Sequence, residues 1–481
     1  MINFRIIARI FSLLLIAEGF FMLIAAAISF IYDEEVTRAF LNSALITLLS
    51  GLIVFTPAKN VEKITGKKEG YIIITGAWLI FSLFGTLPYL FSHTVRSFTD
   101  AFFESISGFT TTGATIFNDV EMLPHGILFW RSITQWIGAM GIIFISLYIL
   151  PVFKSINIQL PAADFSGHQT GKIHPRIKDA AKRLIVIFAL LTLTEAIMLS
   201  LSGVPLFDSV CLSFSTMSTS SFSTVNEGIT AFAEPFSVLI LTFFMFLAGT
   251  SMSYIYFGLK GDYSKVYKNN EFMFFTIICF VFSAFISFIF MKQGVTPGKS
   301  IVEGSFHAVS VITTTGLYIN DGKIWSDLLL IIFFVLMLTG GTSGSPSGGL
   351  KMIRLLIVTK NSKQELSRLL HPYAYMPVKI DNKTISQTIV FNILVIISLY
   401  FLVICISALI ISLMGSDLLT SFSTSLSMIA NIGPSLGETG ISTNFGGMPV
   451  PGKWFMSALM LLGRLELLTV MIFFTGSFYR K

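Results

Sequence analysis

The feature that most constrains this chain is a series of apolar runs too long for a soluble core to enclose. Runs at 70–92, 184–201, 272–291 and 384–414, and others at 127–153, 236–259, 328–358 and 454–478, come close to or exceed the roughly 20 residues that carry a helix across a bilayer. Of the 481 residues 53% are hydrophobic and only 12% are charged, about half the charge of a soluble domain. The pattern predicts an all-α polytopic membrane protein with no soluble domain of its own. No train of alternating ~10-residue strands suggests a barrel.

Between the paired runs lies a repeated segment. Aligned on Gly113, Ser221, Gly316 and Gly433, spaced 108, 95 and 117 residues apart, the four copies read DAFFESISGFTTTG, DSVCLSFSTMSTSS, EGSFHAVSVITTTG and TSFSTSLSMIANIG. Six positions before each anchor stands Ser107, Ser215, Ser310 or Ser427. Thirteen before it stand Asp100, Asp208, Glu303 and Thr420, the last with Asp417 just upstream. Each copy is about ten moderately apolar residues, half a membrane's thickness of helix, with an acid placed to cap its start. The expected unit is helix, short re-entrant helix, polar tip, helix, repeated four times in one orientation around a pseudo-fourfold pore. Its boundaries are 70–155, 180–260, 270–360 (with a broken second helix) and 384–479, preceded by a transmembrane hairpin at 1–58.

The N-terminal run at 10–31 follows Arg5 and Arg9 and contains Ala25-Ala26-Ala27. It is too long for a signal peptide's apolar core, and a second run at 39–55 follows closely, so it reads as a retained span. With the N-terminus in the cytoplasm, 24 of the 32 Lys and Arg fall on cytoplasmic segments: Arg5, Arg9, 59–68, 154–183, 260–268, 351–383 and 480–481. Arg131 and Arg464 lie within spans. That is the positive-inside bias. The outer face is acidic, with Asp33, Glu34, Glu35, Asp119, Glu121, Glu227 and Glu234, which enriches cations at the mouth. Cys211, Cys279 and Cys405 have no redox or zinc spacing, nor do the six histidines.

Non-helical backbone at membrane depth survives only where protein buries it or where it lines water. Four such tips meeting on an axis offer carbonyls that replace the hydration shell of a cation. Glycine lets the backbone aim those carbonyls inward, and the short helices point their partly negative C-terminal ends the same way. No Asp or Glu occupies the tips, which disfavours a divalent site. One TTTG alone reads first as a helix C-cap with Gly at C′; four aligned copies with a shared serine favour the pore.

The tips TTTGAT (110–115), SVITTTGLYIND (310–321) and ANIGPSLG (430–437), with GRLELLT (463–469), resemble the Trk/Ktr/HKT superfamily, most closely the membrane subunits of bacterial Trk potassium uptake systems. The resemblance covers essentially the whole chain, hairpin included. It implies four pore units around one K⁺ path, a homodimer, and a cytoplasmic nucleotide-binding regulatory subunit of the TrkA kind. Carried over, the filter strands are Thr111-Thr112-Gly113, Thr219-Ser220-Ser221, Thr314-Thr315-Gly316 and Asn431-Ile432-Gly433, with K⁺ as the ion held. The second departs from the family, whose members show Gly-Gly before the Phe. A serine there sits in a glycine's backbone position at a cost of about 1–3 kcal/mol, and it adds an oxygen or narrows the path. In plant members a serine at a first-repeat filter glycine accompanies sodium permeation, so K⁺ alone and K⁺ with Na⁺ both stay open.

The stretch LTGGTSGSPSGGLK (338–351) interrupts the 328–358 run. It lacks the P-loop pattern, since Leu350 and Lys351 follow Gly349. Mid-span it should line the cavity below the filter, and the resemblance makes it the pore's obstruction, with Gly340, Gly341, Thr342, Ser343, Gly344 and Ser345 as gate residues. Arg464, costly at about 2.5–3.5 kcal/mol inside a membrane, is expected against the loop's carbonyls, pinning it and setting a positive barrier; a structural ion pair or a snorkelled side chain is the alternative. Glu466, two positions on, does not share its face. Glu18, Glu195 and Glu466 read as the only intramembrane acids, in packing or pairing roles. The basic segments 154–183 and 351–383 read as topology signals or as a partner's docking surface.

The function these features point to is K⁺ uptake down its electrochemical gradient through a gated, channel-like pore in the bacterial inner membrane. The alternative is an alternating-access carrier of an organic solute, disfavoured because carriers pair inverted halves. Nothing has the motif of an enzyme, of a bound cofactor or of a nucleic-acid partner.

Overall fold

The structure is a computed structural model describing residues 3–55, 67–153, 175–319, 325–371, 373–374, 376–437, 439, 444–467, 470 and 472–476. The basic stretches 59–66, 154–174 and 480–481, expected on the cytoplasmic side, lie outside the described residues, as do Asn320 and Asp321 past the third tip.

Helices α1 (Phe4–Ile31) and α2 (Thr37–Phe55) form the N-terminal hairpin. Gly51 lies against Ser12 O and Ile16, and Gly19 against Leu48. Small residues let membrane helices approach backbone to backbone.

Four units follow. The first is α3 (Lys67–Phe84), a short α4 (Leu87–Phe91), α5 (Phe98–Phe109) and α6 (His125–Phe153). The second is α7 (Pro175–Leu201), α8 (Leu206–Met217), α9 (Pro235–Ala248), α10 (Met252–Leu259) and α11 (Tyr263–Tyr267). The third is α12 (Asn270–Lys292), α13 (Pro297–Ile312), α14 (Asp327–Met337) and α15 (Met352–Leu370). The fourth is α16 (Gln387–Ser412), α17 (Leu418–Ala430) and α18 (Val450–Arg464), entered through a two-stranded turn, Lys379–Ile380 with Lys383–Thr384. Among the described residues six helices are long and apolar enough to cross a membrane, and α9 with α10 makes a broken seventh. Phe280, Phe391 and Leu409 are exposed on such helices, a surface suited to lipid. The re-entrant helices are short: the 12 residues of α5 rise about 18 Å.

The ring closes through one repeated contact. Helix α6 packs on α8, α9 on α13, α14 on α17, and α18 on α5. Each unit's inner helix therefore lies against the next unit's re-entrant helix, and the fourth meets the first. Units 1, 2, 3 and 4 stand in that order around one axis, with 2 opposite 4.

Three expectations are corrected. The 236–259 run is not one helix: α9 and α10 meet at 105°. The 338–351 loop takes the hydrogen bonds the helix gives up, since Thr342 N donates to Gly249 O (2.9 Å) and Ser251 N donates to Thr342 Oγ1 (2.6 Å). The 454–478 run ends its helix at Arg464, and Glu466 has a left-handed φ of 59°. The acids before the tips are not general caps: Asp417 is the N-cap of α17 and accepts from the N–H of Thr420 at 3.1 Å, whereas no acid is the N-cap of α5, α8 or α13. Asp100 and Asp208 sit inside the first turn, and Glu303 lies mid-helix because α13 starts at Pro297.

Candidate functional site: four tips and a loop beneath them

Each re-entrant helix ends in the same turn. Thr111, Thr219, Thr314 and Asn431, each four residues past the recurring serine, all adopt left-handed φ values of 52°, 53°, 59° and 53°. The next N–H, of Thr112, Ser220, Thr315 or Ile432, donates to the serine carbonyl at 2.9, 3.0, 2.9 and 3.0 Å. This is a Schellman-type C-cap, but the left-handed residue is a threonine in three of four cases. A β-branched residue there costs about 1–3 kcal/mol, a strain that clusters at functional sites. The C-cap reading of TTTG is thus correct for the turn, with threonine rather than glycine at its hinge.

The serine hydroxyls work as well. Ser310 Oγ donates to Leu317 O (2.6 Å) and Ser427 Oγ to Gly433 O (2.9 Å), tying each tip back to its helix. Thr110 pairs with Thr112, and Thr313 with Thr315, both at 2.8 Å.

The tips converge. A Cβ on Gly113 would collide with Ser221 Oγ, one on Gly433 with Ser221 Oγ and Thr112 O, and one on Gly316 with Ile432 O. Asn431 Nδ2 donates to Thr112 Oγ1 (2.9 Å). Gly113, Gly316 and Gly433 have φ of 83°, 72° and 99°, the left-handed region glycine adopts freely. Ser221 does not adopt it, so the expected backbone strain at this serine is absent. Its hydroxyl instead donates to Thr112 O (3.4 Å) and, across the ring, to Ile432 O (3.2 Å). Contacts join the first strand to the second and fourth, the second to the fourth and the third to the fourth, and none of the twelve strand residues is a carboxylate.

Glycines on the inner helices allow this approach. Gly138 of α6 faces Phe109 O and Gly463 of α18 faces Ile429 O, so these inner helices touch the ends of re-entrant helices without a side chain between, and Gly249, which caps α9, faces the Thr313 side chain.

Beneath the third and fourth tips runs the 338–351 loop. Gly348 N donates to Thr314 Oγ1 (2.7 Å), and a Cβ on Gly348 would collide with Ala430 O. Arg464 Nη1 donates to Pro346 O (2.6 Å), as expected of an arginine set against the loop's carbonyls. Its alternative ion pair is not formed: Glu466 pairs with Arg354 at 2.5 Å. Thr342 holds the α9–α10 break. Gly340, Gly341 and Gly344 let the loop fold on itself: Gly340 faces Gly348 O, Gly341 faces Gly249 O, and Gly344 has φ 85°.

The sequence reading missed several residues. Glu271 Oε1 accepts from Ser343 N (2.6 Å), anchoring the loop to α12. Lys351 Nζ donates to Ser345 O (3.3 Å) and to Ser347 O. Glu104 and Glu271, both fully buried, join Glu18, Glu195 and Glu466 as acids in the membrane region. Glu104 passed as one polar residue of a short helix; its buried partner, Arg131, was the available signal. Beyond the first tip, the Asn226 amide holds the Asp119 carboxyl below the usual carboxylate range, so that acid stays ionised.

A family model described as "TrkH: Cation transport protein" matches residues 37–480. The chain is 34% identical, over 100% of both sequences, to the Trk system potassium uptake proteins TrkH of Salmonella typhimurium and Escherichia coli K12. It is 30% identical to the Trk system potassium uptake protein TrkG of Escherichia coli K12, with 99% of each covered. The crystal structure of the potassium transporter TrkH from Vibrio parahaemolyticus aligns with a TM-score of 0.91 at 31% identity, covering 100% of both chains.

Proposed function

Because the chain belongs to the TrkH family of cation transport proteins, we propose that its four tips are the ion filter, and its 338–351 loop the gate, of a potassium uptake pathway. The protein takes up potassium, its transported ion, and the family is one of transporters rather than enzymes. One observation carries the filter reading: four left-handed tips from four units meet around one axis with backbone carbonyls and no carboxylate among them. A K⁺ ion entering from the acidic mouth sheds water and takes carbonyl oxygens in its place. The re-entrant helices aim their C-terminal dipoles at it. It then passes to the cavity under the tips and meets the loop, where Arg464 opposes a cation. Opening moves the loop aside and the electrochemical gradient drives the ion inward. The four units run in one sense, whereas carriers with alternating access pair inverted halves.

The surrounding assembly follows from the same reading: a homodimer in the bacterial inner membrane, N-terminus cytoplasmic, regulated by a cytoplasmic nucleotide-binding subunit like TrkA. The Trk system names of the relatives support partners of this kind. Bi-ionic reversal potentials on purified protein test the filter. Gly113→Ala and Gly316→Ala should lower the preference for K⁺ over Na⁺; normal discrimination in both variants would show that the tips are not the filter.

A further inference from the structure

Behind the first two tips lies an ion pair that no part of the uptake pathway requires. Arg131 Nε donates to Glu104 Oε1 at 2.8 Å, with side-chain exposures of 2% and 0%. An arginine and a glutamate are rarely this buried unless paired and hydrogen-bonded, and here every side-chain nitrogen and carboxylate oxygen has a partner. Arg131 Nη1 donates to Ser223 O (3.1 Å) and Nη2 to Thr115 Oγ1 (3.2 Å). Its guanidinium carbon stands 4.2 Å over the Phe222 ring and 5.5 Å from that of Phe117. Glu104 Oε2 accepts from Ile116 N (2.9 Å), and the Thr115 hydroxyl reaches both carboxylate oxygens.

Every one of these partners lies one to four residues beyond the end of a filter strand. Thr115, Ile116 and Phe117 continue the strand that ends at Gly113; Phe222 and Ser223 continue the one that ends at Ser221. The planar fork of arginine can hold several acceptors at fixed mutual geometry, which lysine cannot. The strand-4 exit also hangs on this point, because Phe445 N donates to Thr115 O at 2.9 Å. Nine positions before the anchor, where the first unit has Glu104, the others have Leu212, His307 and Thr424. The device belongs to the first unit alone, and it joins that unit to the second, whose strand lacks the glycines.

We infer that Arg131 and Glu104 are positioning residues for ion discrimination: a neutral strut that fixes the outer ends of filter strands 1 and 2 relative to each other. This deepens the filter reading and rests on it. The strut carries no net charge, so it sets geometry without repelling the arriving cation.

The test is the K⁺:Na⁺ permeability ratio from bi-ionic reversal potentials of purified full-length protein, wild type against Arg131→Lys, Thr115→Val and Gly113→Ala. Lysine keeps the charge beside Glu104 but cannot also reach Ser223 O. Valine keeps the shape of Thr115 and removes the hydroxyl between the two charges, so it stays informative if the arginine variant folds poorly. Loss of a charge-assisted hydrogen bond corresponds to a shift of about tenfold, and we expect that fall in Arg131→Lys and a smaller one of about threefold in Thr115→Val. A purely structural role would lower the yield of folded protein and leave the ratio of the folded fraction alone. An unchanged ratio in either variant, with a collapsed ratio in Gly113→Ala, overturns the strut and keeps the filter. An unchanged ratio in Gly113→Ala overturns the filter reading itself, and the strut with it.

Discussion

Ser221 Oγ lies 3.2 Å from Ile432 O, on a strand of the unit diagonally opposite its own. The same hydroxyl is 3.4 Å from Thr112 O, on the strand between them. A side chain that reaches across a fourfold ring occupies its middle. Ser221 therefore engages two carbonyls that would otherwise face an ion, and it does so as a donor. To be held at this level, a cation must displace the hydroxyl from both, or turn it so that its oxygen becomes a ligand.

Ser221→Gly should release those carbonyls. One neutral hydrogen bond is worth about 1 kcal/mol net, so K⁺ flux at limiting K⁺ is expected to rise about fivefold. The K⁺:Na⁺ permeability ratio should rise with it, because a narrower ring favours the smaller ion. Equal flux and equal ratio in the two proteins would mean that the hydroxyl does not stand in the path.

Much of this was legible before any coordinates. Apolar length gave the spans, and the fourfold alignment on Gly113, Ser221, Gly316 and Gly433 found strands that do meet. The reason it worked is local: a short helix, a C-cap and a glycine are all sequence-near features, and the serine six positions back is the acceptor of the turn's N–H. What stayed hidden depends on long-range contact. The α9–α10 break arises because Thr342, about 90 positions away, bonds Gly249 O and Ser251 N. Glu271 stands in the first turn of α12, yet it holds Ser343 N, 72 positions away. Apolarity alone made 236–259 and 454–478 resemble continuous spans, since a helix that surrenders its hydrogen bonds to a loop keeps the same composition.

Close backbone approach makes a contrast of two glycines informative. Gly138→Ala places a methyl on Phe109 O at the foot of the first tip; overpacking of this kind costs about 1–3 kcal/mol. Gly298, in the first turn of α13, has nothing within 4 Å of its Cβ position, and alanine there should stabilise by about 0.5–1 kcal/mol. Thermal unfolding in detergent should therefore shift down for the first and slightly up for the second. The same sign for both would contradict the packing described.

Closure of the ring depends on a polar tie between the first and fourth units. Lys453 Nζ donates to Asp100 Oδ1 (2.6 Å) and Gly446 O (2.8 Å), and its side chain is only 6% exposed. Removing one partner leaves the other partly buried and uncompensated. Lys453→Met is expected to lower stability by about 1–3 kcal/mol, and Asp100→Asn/Lys453→Met by less than the sum of the single changes. Additive losses in that cycle would show that the two charges do not act together.

The loop under the third and fourth tips is held by two basic side chains on three successive carbonyls. Arg464 takes Pro346 O, and Lys351 takes Ser345 O and Ser347 O. Glu271 fixes Ser343 N on the opposite flank. An arginine here does two things: it pins the loop through a charge-assisted bond of about 1.5–3 kcal/mol, and on the proposed pathway it places a positive charge where a cation would pass. Arg464→Ala removes both, so ⁸⁶Rb⁺ leak from proteoliposomes lacking any partner should rise by about tenfold to a hundredfold. Lys351→Met removes one anchor and leaves the barrier, and its leak should rise less. Glu271→Gln can still accept from Ser343 N, so it should leak less than Glu271→Ala. Shortening 340–348 removes the obstruction itself and should exceed them all. If the shortened loop and Arg464→Ala both leak at the wild-type rate, the loop is not the gate, while selectivity at the four tips would remain to be judged by its own measurements.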